Sequence, residues 1–170
     1  MTAFAGREPI DALKQWFFYD PKTGVLTWRM SNRYITAGTR AGCIGGKGYL
    51  YVRLMGKVYR AHHLAWLMHY GEWPDPTLVV DHINGDTGDN RIENLRLATI
   101  TQNAANSKLR AANTSGAKGV VWHKRDKVWC AGIGVNGKNI HLGNFTNKQS
   151  AAEAYRDAAV RYFGEFANFG

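Results

Sequence analysis

Apolar positions along the first seventy residues change period several times, and each change marks an element. Ile10, Leu13, Trp16 and Phe17 fall at helical spacing and predict an amphipathic helix over 10–19. Asp20-Pro21-Lys22-Thr23-Gly24 has turn chemistry, and the apolar run 25–28 predicts a strand after it. Stretches 49–54 and 58–60 predict a hairpin across Met55-Gly56-Lys57. A helical run over 63–70 ends at Gly71, and Pro74 and Pro76 prevent its restart.

Residues 78–82 form a short apolar strand that ends on two polar groups, Asp81 and His82. The composition of 83–90 is that of a loop, and 94–97 returns as a second strand. Thr99 and Gln102 have the spacing of a capping box and open a helix carrying Asn103 and Asn106. A polar, basic, glycine-containing stretch follows and reads as a linker over 108–118. Beyond it, 119–122, 128–135 and 139–142 predict three strands, with Asn136-Gly137 as the turn between the last two. Thr146 to Gln149 has a second capping-box pattern. The helix it opens places Ala151, Ala152, Tyr155, Ala158, Ala159, Tyr162 and Phe163 on one side, and Gly164 stops it.

Composition narrows the class. With 45% hydrophobic and 12% aromatic residues, the 170-residue chain is globular rather than disordered. No apolar stretch is long enough for a membrane span. Residues 1–7 lack the basic start and apolar run of a secretory signal. Cys43 and Cys130 form no CxxC pair, so neither a disulfide framework nor a zinc site is expected. Both read as buried, inert thiols, in keeping with a reducing cytoplasm.

A net charge of +9 favours a polyanionic partner, nucleic acid before membrane. Its distribution says more than its total. Basic residues outnumber acids nine to three over 1–59 and eight to four over 111–170, whereas 60–110 holds five bases and six acids. Carboxylates gathered between basic flanks suit a cation-holding centre beside surfaces that track phosphates.

Phosphodiester hydrolysis needs an activated water, neutralisation of phosphate charge and stabilisation of the departing oxygen. Asp81 is a hard oxygen donor at a strand end. His82, next along the strand, projects to the opposite face and can act as general base. Asn103 on the following helix can supply a second oxygen donor. Magnesium keeps several waters, so one carboxylate, one carboxamide and phosphate oxygens suffice for it.

The stretches Val80-Asp81-His82-Ile83-Asn84-Gly85-Asp86 and Asp89-Asn90-Arg91-Ile92-Glu93-Asn94-Leu95-Arg96, followed by Asn103, resemble the HNH endonuclease family, in particular its phage homing-endonuclease branch. The segment Arg60-Ala61-His62-His63-Leu64-Ala65-Trp66 is similar to the family's stretch just upstream. The resemblance implies a ββα-metal fold, two short strands and a helix around one divalent ion, here magnesium with manganese able to replace it. It makes His82 the general base and Asn94 its catalytic companion, which steadies the loop between the strands. Asp81 and Asn103 become the metal ligands.

Other readings of these residues stand beside it. Asp86, Asp89, Asn90 and Glu93 lie close enough to suggest a calcium loop, but the segment is too short for an EF-hand and they read as turn residues. His62 reads first as a hydrogen-bonded structural histidine and second as a catalytic one. Arg96 either touches the scissile phosphate or solvates its strand.

In the last third, Trp122, His123, Lys124, Arg125, Lys127 and Trp129 cluster into a basic, aromatic sheet face, a form that can track phosphates and enter a groove. Trp129 reads as core, while Lys124, Arg125 and Lys127 read as phosphate contacts. The segments from Lys118 to Trp129, from His141 to Phe145 and from Ala151 to Tyr155 resemble the Apetala-two/ethylene-response-factor DNA-binding domain. Gly132 and Gly134 depart from it, standing where that family carries charged side chains, so its base contacts do not transfer.

The expectation is an α+β chain: an N-terminal α/β segment with basic hairpins over 1–59, a nuclease core over 60–107, a linker over 108–118, and over 119–170 a three-stranded antiparallel sheet packed on one helix. Its function is expected to be metal-dependent hydrolysis of double-stranded DNA. A non-catalytic DNA-binding regulator and a junction-resolving or packaging nuclease are the alternatives.

Overall fold

The helix predicted over 10–19 stops early. In a computed structural model that describes residues 9–170, α1 is Ile10–Trp16 and the chain turns directly into a strand, β1, Phe17–Asp20. Phe17-Phe18-Tyr19 is an aromatic run suited to a pleated surface, and burial alternates along it: Phe17 and Tyr19 are inside while Phe18 is out. Its partner β2 is Val25–Trp28, paired antiparallel from Phe17 opposite Trp28 to Asp20 opposite Val25. The start on which the secretory argument rests, 1–7, lies outside the described residues, as does the head of the 1–59 segment.

The chain divides into two compact units, one ending at Leu97 and the other running from Ala98 to Gly170. In the first, the strands β3 (Cys43–Ile44), β4 (Leu50–Leu54) and β5 (Lys57–Arg60) form one sheet in that order. Met55 and Gly56 both have positive φ, 49° and 77°. That makes a two-residue hairpin turn whose twist matches the strands, so β5 begins at Lys57 rather than Val58. Helix α2, Ala61–Tyr70, starts two residues before the predicted run and ends at Gly71, whose φ is 80°. Then β6 (Val79–His82) pairs with β7 (Leu95–Ala98), a single 3-10 turn at Ile92–Asn94 leading into the latter. Leu13, Phe17, Leu26, Val52, Leu64, Leu67, Val80 and Leu95 share one core. Burial was expected for both cysteines, but Cys43 is exposed on the two-residue strand β3 and Cys130 only half-buried. β3 is an edge strand of its sheet, and both of its residues are exposed.

The second unit opens with α3, Ile100–Asn106, started by the predicted capping box: Gln102 N–H donates to Thr99 Oγ1 at 3.2 Å and Thr99 N–H to Gln102 Oε1 at 2.8 Å. A three-stranded antiparallel sheet follows, with β8 (Val120–His123) and β10 (Lys138–Phe145) on either side of β9 (Val128–Val135). Helix α4, Lys148–Phe163, lies on it. Its cap is Asn147, whose carboxamide accepts from Ser150 N–H at 2.8 Å, one residue later than the Thr146 pattern predicted. Either side chain can cap; Asn147 is the one in extended backbone just before the first turn. Ala151 and Ala152 of α4 meet Val120 and Ala131 of the sheet, and small residues allow that close approach. Gly119, at φ 66°, shows how close: a Cβ there would sit 2.1 Å from the Tyr155 ring and 2.5 Å from Gly132 O. The architecture is α+β, a strand pair followed in the chain by a helix, and then a three-stranded antiparallel sheet packed on one helix, as the sequence pattern predicts.

Candidate functional site

Strand β6 ends with two buried polar residues, Asp81 and His82, 5% and 3% exposed. Buried polar groups require partners, and these two find different ones. Arg96, on the paired strand β7, donates from Nε to Asp81 Oδ2 at 3.0 Å. Both side chains are shielded, at 11% and 6% exposure, so Arg96 is not a solvated strand charge. His82 Nε2 lies 3.1 Å from Asn90 Oδ1. Asn90 is itself buried, with its carbonyl accepting from the Tyr19 hydroxyl of β1 at 2.8 Å. Gly24, at φ 72°, lets the β1–β2 turn lie against the Asn90–Arg91 backbone, where a Cβ would be 2.4 Å from Arg91 N.

Asn94 closes the loop between the strands from both ends. Its Oδ1 accepts from Asn84 N–H at 3.0 Å and its Nδ2 donates to Asp89 O at 2.8 Å. Within the loop, Asn84 Oδ1 takes Asp86 N–H and Asp86 Oδ1 takes Gly88 N–H. Asp89 is held by Arg91 and by Asn84 Nδ2, and the Arg91 hydrogen bond keeps its carboxyl down at about 2. Asp86 and Asp89 thus serve the loop's own turns, whereas Asn90, read with them as a turn residue, is buried against His82.

Around His82 lies a group of rings. Its imidazole is 5.0 Å from that of His62 and 6.0 Å from the Tyr49 ring, and His62 is 4.5 Å from His63. Burial is the main cause holding these imidazoles below the usual histidine range: His62 well below it, His63 at about 4, and His82 lowered less because the Asn90 bond and nearby acids act the other way. Each is neutral at pH 7, the state in which a histidine can take a proton. His62 is buried as a structural residue would be, but its Nδ1 has no hydrogen-bond partner among the described residues.

Asn103 stands on α3 in the second unit and is exposed, with its N–H bonded to Thr99 O at 2.9 Å. Among the described residues, no group of three histidines, cysteines or acids is placed to hold a metal ion. Of the two expected metal ligands, Asp81 is a buried carboxylate bonded to the Arg96 guanidinium, a hard oxygen donor of the kind that suits a cation retaining water.

At the far end of the chain, the β8–β9 connection carries the predicted basic cluster in the open. His123, Lys124, Arg125 and Lys127 are exposed, and Trp122 is 40% exposed with its ring 5.1 Å from Trp129. Trp129 packs against the sheet's core. Asp126 was not singled out by the sequence pattern, yet it binds both Arg125 Nε at 2.8 Å and His123 Nδ1 at 3.1 Å. Also missed were Asn90 and Tyr49, whose signal was faint: one lies in the quoted motif but in loop composition, the other far upstream.

Known proteins resemble parts of this chain. The HNH endonuclease family profile matches residues 59–105. Protein 3.8 of Escherichia phage T7 is 32% identical over 113 residues, which cover 66% of this chain and 92% of that protein. An uncharacterised HNH endonuclease of Acanthamoeba polyphaga mimivirus is 31% identical over 124 residues, 73% of this chain and 63% of its own length. A solved structure on DNA binding and cleavage by the HNH homing endonuclease I-HmuI aligns at 25% identity and TM-score 0.43, over 58% of this chain and 55% of that one. With the matched segment spanning β5 to α3 and holding Asp81, His82, Asn94 and Asn103, the chain belongs to the HNH endonuclease family.

Proposed function

We propose that this endonuclease hydrolyses phosphodiester bonds of double-stranded DNA, with His82 as general base, in a manner that depends on a divalent ion. The observation that carries the reading is the buried His82 imidazole, neutral at pH 7 and held at Nε2 by Asn90 beside a buried carboxylate. Neutral and held against Asn90 Oδ1, the imidazole is in the state that can accept a proton from the attacking water. Asp81 and Asn103 would hold the ion, magnesium or manganese in its place. When bound, it supplies positive charge to the phosphate and the departing oxygen. Asn94 keeps the loop closed so that His82 and Asn90 stay in register. Arg96, bonded to Asp81 Oδ2, holds that carboxylate in place and would contact the scissile phosphate.

Positioning on DNA falls to the C-terminal sheet, read as an Apetala-two-type domain. Lys124, Arg125 and Lys127 contact phosphates, with Trp122 and His123 beside them. No helix among the described residues is long and apolar enough to cross a membrane. The protein would work in a cytoplasm, the bacterial host's if it is encoded by a phage.

Supercoiled plasmid incubated with the protein and magnesium should be nicked or linearised, and EDTA should stop it. Plasmid left intact with magnesium and with manganese, under conditions where the protein binds duplex, would favour the non-catalytic alternative.

A further inference from the structure

Residues 107–119 form neither helix nor strand, yet one lysine in this stretch is deeply engaged. Lys118 Nζ donates to Ala105 O at 2.8 Å, Ser107 O at 2.6 Å and Asn168 O at 2.8 Å. An ammonium has three donors, and here every one goes to a main-chain carbonyl. The first two carbonyls are at the C-terminal end of α3, where a helix leaves its last acceptors open and partial negative charge collects. The third follows the 3-10 turn Gly164–Phe166, against which α3 packs. Burial lowers the Lys118 pKa, a cost a solvated lysine escapes, and charge-assisted bonds to three carbonyls offset it.

Helix α3 has seven residues, too few to hold its shape in water without help from tertiary structure. The Thr99–Gln102 capping box secures its start and Lys118 its end. Asn103 lies between these two fastenings.

We propose that Lys118 is a positioning residue of the nuclease centre, setting the placement of Asn103 by tying the end of α3 to the tail of the C-terminal unit. The proposal rests on the reading of Asn103 as a metal ligand.

The test compares Lys118→Met, which keeps the stem and removes the ammonium, with Lys118→Arg, which keeps charge and donors. Magnesium affinity is measured by calorimetry and by titrating plasmid cleavage, and duplex affinity is measured in EDTA. Residues supporting metal ligands typically change metal affinity by about 10- to 100-fold. Lys118→Met should therefore need about tenfold more magnesium for half-maximal cleavage. It should regain the parent rate at saturating metal and bind duplex unchanged in EDTA, and Lys118→Arg should restore the parent's magnesium requirement. A Lys118→Met protein with a lowered melting temperature but an unshifted magnesium requirement would overturn the proposal, leaving a purely structural tie. Asn103→Ala separates the two readings: if it leaves magnesium affinity intact, the ligand assignment fails and the proposal goes with it. Should Lys118→Met not fold, native-state hydrogen exchange on the unaltered protein decides. Amides of α3 should open together with those of α4, and α3 opening on its own at lower free energy would count against the tie.

Discussion

The β6–β7 loop region and the β8–β9 tip are both rich in charged and polar residues, but they spend them differently. In the first, Asp81, His82, Asn90 and Asn94 are buried and each commits its side chain to a hydrogen bond, Asp81 with Arg96, His82 with Asn90 and Asn94 with the loop backbone. In the second, His123, Lys124, Arg125 and Lys127 stand in solvent around one acid, Asp126. A buried polar group without its partner costs free energy, so the loop region acts as a unit, and losses there should be severe and non-additive. Exposed cations act through a screened field, and their losses should be graded and nearly additive. One region is built for geometry, the other for charge.

The largest effect expected is at His82. His82→Ala should slow cleavage by about 100- to 10,000-fold, the range for loss of a general base, with duplex affinity in EDTA kept. His123→Ala at the tip should leave the cleavage rate at saturating DNA nearly untouched. A His82→Ala variant cutting at more than about a tenth of the parent rate would place the base elsewhere.

Asn94→Ala comes next. It orphans Asn84 N–H and Asp89 C=O, each worth about 1–3 kcal/mol when buried. Denaturant unfolding should show a loss in that range together with slower cleavage. Asn90→Ala and Asn94→Ala combined should cost less than their sum, and strict additivity would break the picture of a unit.

At the tip, each phosphate neutralised adds a slope of about 0.9 to log K against log salt. Neutralising Lys124, Arg125 and Lys127 together should flatten that slope by about two to three units. Arg125 is already bonded to Asp126, so Lys124 and Lys127 should account for most of it. A slope unchanged by the triple substitution would remove the tip from the DNA surface.

The last contrast is in acid stability, which the buried imidazoles alone should set. His62, His63 and His82 bind protons less readily folded than unfolded. Below about pH 6.5 the unfolded chain therefore holds more protons than the folded one. Their contribution is complete above that pH and is lost as pH falls towards about 4, the value to which His63 is pushed. Denaturation midpoints measured from pH 8 to 4 should fall across that window. Midpoints that stay level would mean the imidazoles charge without cost.

Much of the fold was legible because its signals are local. Thr99 and Gln102 cap α3 through atoms three residues apart, Asn136-Gly137 turns a hairpin with both φ values positive, and Gly71 and Gly164 end helices where the pattern stops. Phe17-Phe18-Tyr19 was misread because a short aromatic run satisfies either period. Packing against β2 settled it, with Phe17 and Trp28 rings 4.8 Å apart. Thr146 and Asn147 are both competent caps, and only the path of the chain into α4 chose between them.

The sequence by itself determined the kinds of groups at the site: an acid and a histidine closing a strand, asparagines after them, and cations at a later turn. Their spacing was enough to indicate the family. Tertiary structure alone decided who holds whom. Arg96 meets Asp81 across a strand pair, Asn90 reaches His82 from a loop pinned by Tyr19, and Lys118 joins two segments 50 residues or more from one end to the other. Local signals act over a few residues of backbone, whereas a buried charge or amide must take whatever partner packing brings within about 3 Å.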